Sequence, residues 1–234
     1  MPHFRPLPIF TAVCVVMFAV LISLGVWQVQ RLHWKLGLIA EVNRNLASAP
    51  LTLDQALAMG AAAQYHRVML DGWFVNDKEA YVYASGPEGA PVYHVLTPFE
   101  TRSGRTLLVD RGIVPTGLID PKKRARVDER VMIGVWRFPD PPGTFTPPPD
   151  IAHRIWYSRD VGAIAAADHV KLSAPAIVEA DAAPNPGGWP KGGQTQVTFR
   201  NEHLQYAITW FGLALALLGV YIAFHISRGR LRWH

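Results

Sequence analysis

The sequence predicts a membrane protein of mixed α and β character. Two transmembrane helices, N- and C-terminal, flank a mainly antiparallel β domain, a small barrel or sandwich with short helices. Three observations predict it. Two apolar runs without Asp, Glu, Lys or Arg, Pro8–Gln30 and Leu204–Ile226, are each long enough to cross a hydrocarbon core of roughly 30 Å. The stretch between them is of ordinary domain size, and its apolar residues fall in short runs bounded by turn residues. Half the residues are hydrophobic and the mean hydropathy is +0.10, too apolar for an average soluble domain and too polar for a many-spanning transporter.

The first run reads PIFTAVCVVMFAVLISLGVWQVQ. A cleaved signal peptide would have a shorter apolar region, about 7 to 15 residues, followed by a small-residue cleavage site. This run continues to Trp27 with no such site behind it, so a retained anchor is expected. Past it, Arg31 and Lys35 begin a region of nearly balanced charge. Short runs follow: a helix near Leu53–Met59 with LTLD supplying cap-like residues. Then come strand-like HRVMLDGWF, EAYVYAS, VYHVLTPFE, RTLLVDRGIV and VMIGVWRF, separated by turn material such as SGPEGAP and RSGR. Their spacing suits an antiparallel meander closing into a small barrel or sandwich. DPPGTFTPPPD is too rich in proline for a sheet interior. HRIWYSRD reads as a further strand, VGAIAAAD as a short helix, APAIVEAD as a late strand and AAPNPGGWPKGGQ as a long loop; TQVTFRN leads into the second run.

Charge sets the expected topology. The net charge is +5, and most of the excess lies on Arg5, Arg31, Arg228, Arg230 and Arg232, which flank the spans. Arginines directly after the second span place the C-terminus in the cytoplasm, and with two spans the N-terminus as well. The expected segments are a cytoplasmic N-terminus at 1–7, a first span at 8–30, a periplasmic β-rich domain at 31–203, a second span at 204–226 and a cytoplasmic basic tail at 227–234. The short N-terminus leaves no room for a transit peptide, so a bacterial inner membrane is the expected host. Lys122–Arg126 (KKRAR) is the one local basic run, and DER follows it closely; it reads as a solvated loop, and nucleic acid is not an expected partner.

Several chemistries are disfavoured. The single cysteine, Cys14, allows no intramolecular disulfide, no C-x-x-C pair and no thiolate cluster. With five methionines beside it, a copper chaperone is a poor reading, because Cu(I) prefers thiolate and thioether ligands. No nucleophile elbow, P-loop, zinc-protease or dinucleotide motif occurs, and no catalytic role is expected. His66, His94, His153 and His169 are scattered singly and read as surface or satisfied structural residues. Asp110-Arg111-Gly112 reads as the end of a strand, its arginine bound to an anion or salt-bridged to a neighbouring carboxylate.

The outer ends of the two spans are treated alike. Trp27, Arg31 and Trp34 recur at helical spacing at the exit of the first; His203, Tyr206 and Trp210, spaced three then four, open the second. Gly25, Gly212, Ala216 and Gly219 are small enough for the helices to approach closely. An aromatic belt with a snorkelling arginine explains the tryptophans, the tyrosine and Arg31. His203 adds something else. An imidazole near lipid, beside aromatic surfaces and a guanidinium, has the makings of a porphyrin site: iron takes an axial imidazole, the macrocycle takes apolar walls, and propionates take Arg.

LGVWQVQRLHWK, DGWF, VDRGIVP and NEHLQYAITWFGLALAL, in this order between two spans, resemble the surfeit locus protein family of cytochrome c oxidase assembly factors. The resemblance runs from about Leu24 to Phe224. The family's NRGW stands here as DRGI, with Asp110 and Ile113 in place of Asn and Trp. The resemblance implies a multi-pass inner-membrane protein with a periplasmic domain, which promotes biogenesis of the heme-copper oxidase of the respiratory chain. It would bind heme a transiently, as a chaperone, and help deliver it to the catalytic subunit I alongside other assembly factors. The family's heme-linked histidine falls on His203, the expected axial ligand to the heme iron. Trp27, Arg31, Tyr206 and Trp210 join it as pocket neighbours on helical geometry alone. The alternative is a membrane-anchored scaffold that stabilises assembly intermediates without a defined heme site, its aromatic cluster serving as protein contact surface.

Overall fold

The computed structural model describes residues 3–86, 89–139, 142–195, 197 and 199–232. Parts of the expected turns at SGPEGAP and DPPGTFTPPPD, of the TQVTFRN lead-in and of both termini lie outside the described residues. The chain divides into two compact units, residues 1–41 with 198–234, and residues 42–197.

Helix α1 runs from Pro8 to Ala47, within the first unit as far as Glu41, and helix α4 of the same unit from His203 to Ser227. Both are long and apolar enough to cross a membrane, and most of each apolar window is unburied. Pro8 opens α1 at the first helical position, where a missing N–H costs nothing. The expected first span ended at Gln30; the helix continues 17 residues beyond, because nothing from Arg31 to Ala47 breaks it. The helices pair antiparallel. Thr11 Oγ1 lies 2.8 Å from the Tyr221 hydroxyl, Phe10 stacks on Tyr221, and at the other end Gln28 meets His203. The less exposed positions of α1, Thr11, Cys14, Phe18, Leu21, Gly25 and Gln28, follow alternating steps of three and four. Those of α4, His203, Ala207, Trp210, Ala214, Leu217 and Tyr221, do the same, the seam of two helices packed side by side. Two short strands close the far end, β1 (His3–Phe4) against β10 (Leu231–Arg232).

The seam corrects one expectation. Gly25 does lie on it, and a Cβ there would stand 2.6 Å from the Phe211 ring. Gly212, Ala216 and Gly219 do not: they fall out of phase with His203, Ala207, Trp210 and Ala214, and the space beside Gly212 and Gly219 is open. Ala207 and Ala214 are the small residues α4 brings to its partner.

The second unit is a β domain. Its strands are β2 (Leu51–Thr52), β3 (Arg67–Phe74), β4 (Ala80–Ser85), β5 (Pro91–Thr101), β6 (Thr106–Pro115), β7 (Glu129–Arg137), β8 (Ile155–Trp156) and β9 (Ile177–Ala180). Helix α2 (Leu53–Met59) is fixed by a reciprocal cap, Thr52 Oγ1 accepting from the Gln55 N–H and Gln55 Oε1 from the Thr52 N–H, and Asp160 caps α3 (Val161–Ala167). The sheet order is β2-β3-β7-β9-β6-β5-β4-β8, and β3 also pairs with β5. That last pairing closes β3-β7-β9-β6-β5 into a five-stranded barrel, antiparallel except where β6 runs parallel to β9.

Closure departs from a plain meander. Strand β5 is eleven residues long and has an irregularity between His94 and Leu96; its first half pairs with β4, while Phe99–Thr101 at its end pair with β3. Gly72 makes the crossing possible, since a Cβ there would stand 2.0 Å from the Glu100 carbonyl oxygen. HRIWYSRD forms only the two-residue β8, bonded to β4.

Strand β3 alternates buried and exposed residues along Val68–Phe74, whereas β6 is buried on both faces. Leu107 and Val109 join Leu70, Phe74, Phe99 and Trp136 inside the barrel; Leu108 points the other way, into a second cluster with Leu96, Ile177, Trp156 and Ile164 under α3. Phe74 and Phe99 meet edge to face at 4.9 Å.

Candidate functional site

Of the five residues expected at the site, the structure brings His203 to the helix seam with Trp210. His203 is the first residue of α4, and its Nδ1 lies 2.7 Å from Gln28 Oε1. An amide oxygen only accepts, so Nδ1 carries the proton and donates it, which leaves the lone pair on Nε2. No other hydrogen bond to this ring occurs among the described residues. Gln28 is 8% exposed, held on the seam one turn from Gly25. Two turns along α4, the Trp210 Nε1–H is buried and has no acceptor among the described residues.

Trp27, Arg31 and Tyr206 are not brought to the seam. Trp27 is 49% exposed and Tyr206 51%. Arg31 shares the outward stripe of α1, its guanidinium 4.8 Å from the Trp34 ring centre. The reason is phase: Leu21, Gly25 and Gln28 face the partner helix, so Trp27, Arg31 and Trp34 face away. The residue absent from the sequence reading is Gln28. Its signal was an amide inside an apolar run, three residues after Gly25 and so in step with it, as Gln30 is not.

The β domain holds two buried ionic clusters. Asp110, Arg111 and Gly112 sit within β6, not at its end as expected. Glu79 is shared by two arginines: Arg111 Nη1 donates to its Oε1 at 2.8 Å, and Arg124 Nη2 to its Oε2 at 2.6 Å. The Tyr81 hydroxyl donates to the same Oε2 at 2.9 Å. Burial, then the Glu79 charge, push the Tyr81 hydroxyl far above its ordinary pKa. Arg111 also stands over the Phe74 ring at 4.4 Å. Arg111 thus makes the expected salt bridge to a neighbouring carboxylate, Glu79. The solvated-loop expectation for KKRAR fails at Arg124, whose side chain is 3% exposed because Glu79 draws it inward.

In the second cluster His94 Nδ1 lies 2.8 Å from Asp110 Oδ2, and Arg159 bridges Asp110 and Glu179 at 3.3 and 2.8 Å. Burial raises the Asp110 pKa, but the His94 hydrogen bond and charge, Arg159 and the Gly112 N–H outweigh it and hold the carboxyl below its usual range. Gly112 has φ +108°, and a Cβ there would collide with the Lys191 carbonyl oxygen at 1.9 Å. Among the described residues, no group of three or more His, Cys, Asp or Glu is arranged to hold a metal ion.

The model of the SURF1 family matches residues 15–215 of this chain. The chain is 33% identical over 225 residues to Surfeit locus protein 1 of Takifugu rubripes, an overlap of 88% of this chain and 92% of that protein. It is 34% identical over 216 residues to Surfeit locus protein 1 of Homo sapiens, covering 83% and 70% of the two chains. A bacterial relative, the SURF1-like protein of Rickettsia felis, is 30% identical over 222 residues, 91% of this chain and 95% of that one.

Proposed function

The chain belongs to the SURF1 family, and from that premise we propose that it is an assembly factor for the heme-copper cytochrome c oxidase, with heme a as its cargo. His203 would hold the heme iron through its imidazole, and the protein would hand the heme on to subunit I. Its two long helices anchor it in the bacterial inner membrane, the basic tail cytoplasmic and the β domain periplasmic.

One observation carries this reading, the 2.7 Å bond from His203 Nδ1 to Gln28. A ligating imidazole ordinarily donates its second N–H to a fixed acceptor, which sets the tautomer and the ring orientation. Gln28 does this before any cargo arrives. The unpartnered Trp210 Nε1–H adds a buried donor on the same seam. When bound, heme supplies an iron that accepts the Nε2 lone pair. The chain's own part is to present that lone pair and shield the ring on one side. A single neutral ligand with open surroundings suits a carrier that must release what it holds.

The outward exposure of Trp27, Trp34 and Tyr206 favours the scaffold reading for that face, since large exposed aromatics are common contact residues. The two readings part on cofactor content. An absorption spectrum and pyridine hemochrome assay would be run on wild type and His203→Ala purified from cells that make heme a. Near-stoichiometric heme in the wild type and its loss in the variant are expected; absence of heme from both would leave only the scaffold.

A further inference from the structure

The basic run Lys122–Arg126 has a use that the heme reading leaves untouched. It forms one wall of a cavity of about 510 Å³ in the β domain, opposite Asn76, Tyr81 and Arg154. Five cationic side chains line it, Arg111, Lys122, Arg124, Arg126 and Arg154, against two carboxylates, Asp77 and Glu79. The chain reaches it from five segments, the turn after β3, β4, β6, the link before β7 and the turn before β8, so the donors approach from several directions.

Their partners locate the surplus charge. Arg154 is matched by Asp168 at 2.7 Å, and Arg126 by Asp128 at 2.5 Å. Asp77 stands at the rim, 91% exposed, where water screens it. The buried wall differs. Two guanidiniums share the one Glu79 carboxylate, so one positive charge there has no partner. Burial, with Arg124 and Arg130 close by, outweighs the Glu79 charge and holds Arg111 below its ordinary pKa. The buried Arg124 Nε–H has no acceptor among the described residues, and Lys122 has no ion-pair partner among them. Leaving buried donors and charge uncompensated is costly, and an anion in the cavity would offset that cost.

We propose that this cavity binds a phosphate group, whether of free phosphate or of a lipid headgroup, seated between the buried Arg111–Arg124 wall and the rim donors Lys122 and Arg126. Arginine forks pair with phosphate oxygens in parallel hydrogen bonds, and lysine adds a mobile point charge. Tyr81 and Asn76 line the cavity beside them, their own donors given to Glu79 and to Val127 and Asp128. Glu79 already shows how the wall takes an oxyanion, with two arginines and a hydroxyl converging on it.

The test is calorimetric titration of the full-length protein in uncharged detergent, with inorganic phosphate and, separately, with water-soluble dihexanoyl phosphatidic acid. One saturable site per chain is expected. Lys122→Gln/Arg126→Gln, a pair of exposed residues whose loss leaves the core intact, should weaken it about tenfold with unchanged thermal unfolding. Equal affinity for the two probes assigns the site to free phosphate, and tighter binding of the lipid analogue assigns it to a headgroup. Absence of a saturable site for both probes, or unchanged affinity in the double variant, overturns the proposal.

Discussion

Gln28→Leu isolates the orienting bond from the ligand itself. Leucine keeps most of the volume on a seam position that is 8% exposed, so the helix pair should survive, while the acceptor 2.7 Å from His203 Nδ1 disappears. Two estimates of the consequence agree. A buried donor left without a partner costs about 1–3 kcal/mol. Loss of a ligand's outer hydrogen bond lowers metal affinity about 10–100-fold, which is roughly 1.4–2.8 kcal/mol. The proton on the ring is then free to move to Nε2, the nitrogen that the proposed heme ligation needs unprotonated. Heme a retained through purification should therefore fall by one to two orders of magnitude in affinity, about as far as a weakened site can fall short of His203→Ala. Competitive transfer of heme to an apo-globin, monitored by absorbance, gives the number, and circular dichroism checks the helices. If Gln28→Leu keeps wild-type affinity while His203→Ala loses heme, Gln28 does not orient the ligand.

Two other expectations concern the β domain. Glu79→Gln leaves the side chains of Arg111 and Arg124, 4% and 3% exposed, facing no carboxylate, so the domain should lose about 3–5 kcal/mol in denaturant unfolding; a loss under about 1 kcal/mol would deny the pair its structural role. Because the folded state holds the Asp110 carboxyl below its unfolded value of about 3.9, its contribution to stability is full above that pH and disappears as the pH falls through the lower folded value. Asp110→Asn should thus lower stability at neutral pH and flatten the acid limb of the stability curve, and an unchanged limb would count against it.

The short runs of the β domain were legible because local rules govern them. Alternation along Val68–Phe74 marks a half-buried strand, and Leu53–Met59 carries its own cap. Closure was not legible, since it depends on β5 bending to meet β3 at Gly72, a contact between residues far apart in sequence. At the site, three-and-four spacing put His203 and Trp210 on one face, but Tyr206, grouped with them, turns outward. The same spacing misled on the other helix: Trp27, Arg31 and Trp34 do share a face, but spacing alone does not say which face meets the partner. Gly25 and Gln28 decide that, and only when the partner is in view. KKRAR misled for a related reason. Arg124 is buried by a carboxylate 45 positions earlier in the chain.

The closed barrel also bears on how the protein tolerates crowding. Membrane anchoring confines copies to two dimensions, where exposed sheet edges meet often and in similar orientations. An open sheet would offer unpaired N–H and C=O groups as a template for the next copy, the route by which folded domains stick edge to edge. Here the ring consumes those groups in its five strands; outside it, β8 covers β4 at Tyr81 and Val82 only, and the outermost strands, β2 and β8, are two residues each. Such stubs are too short to recruit a foreign strand. Closure thus reduces, without abolishing, the edge on which neighbouring copies could pair.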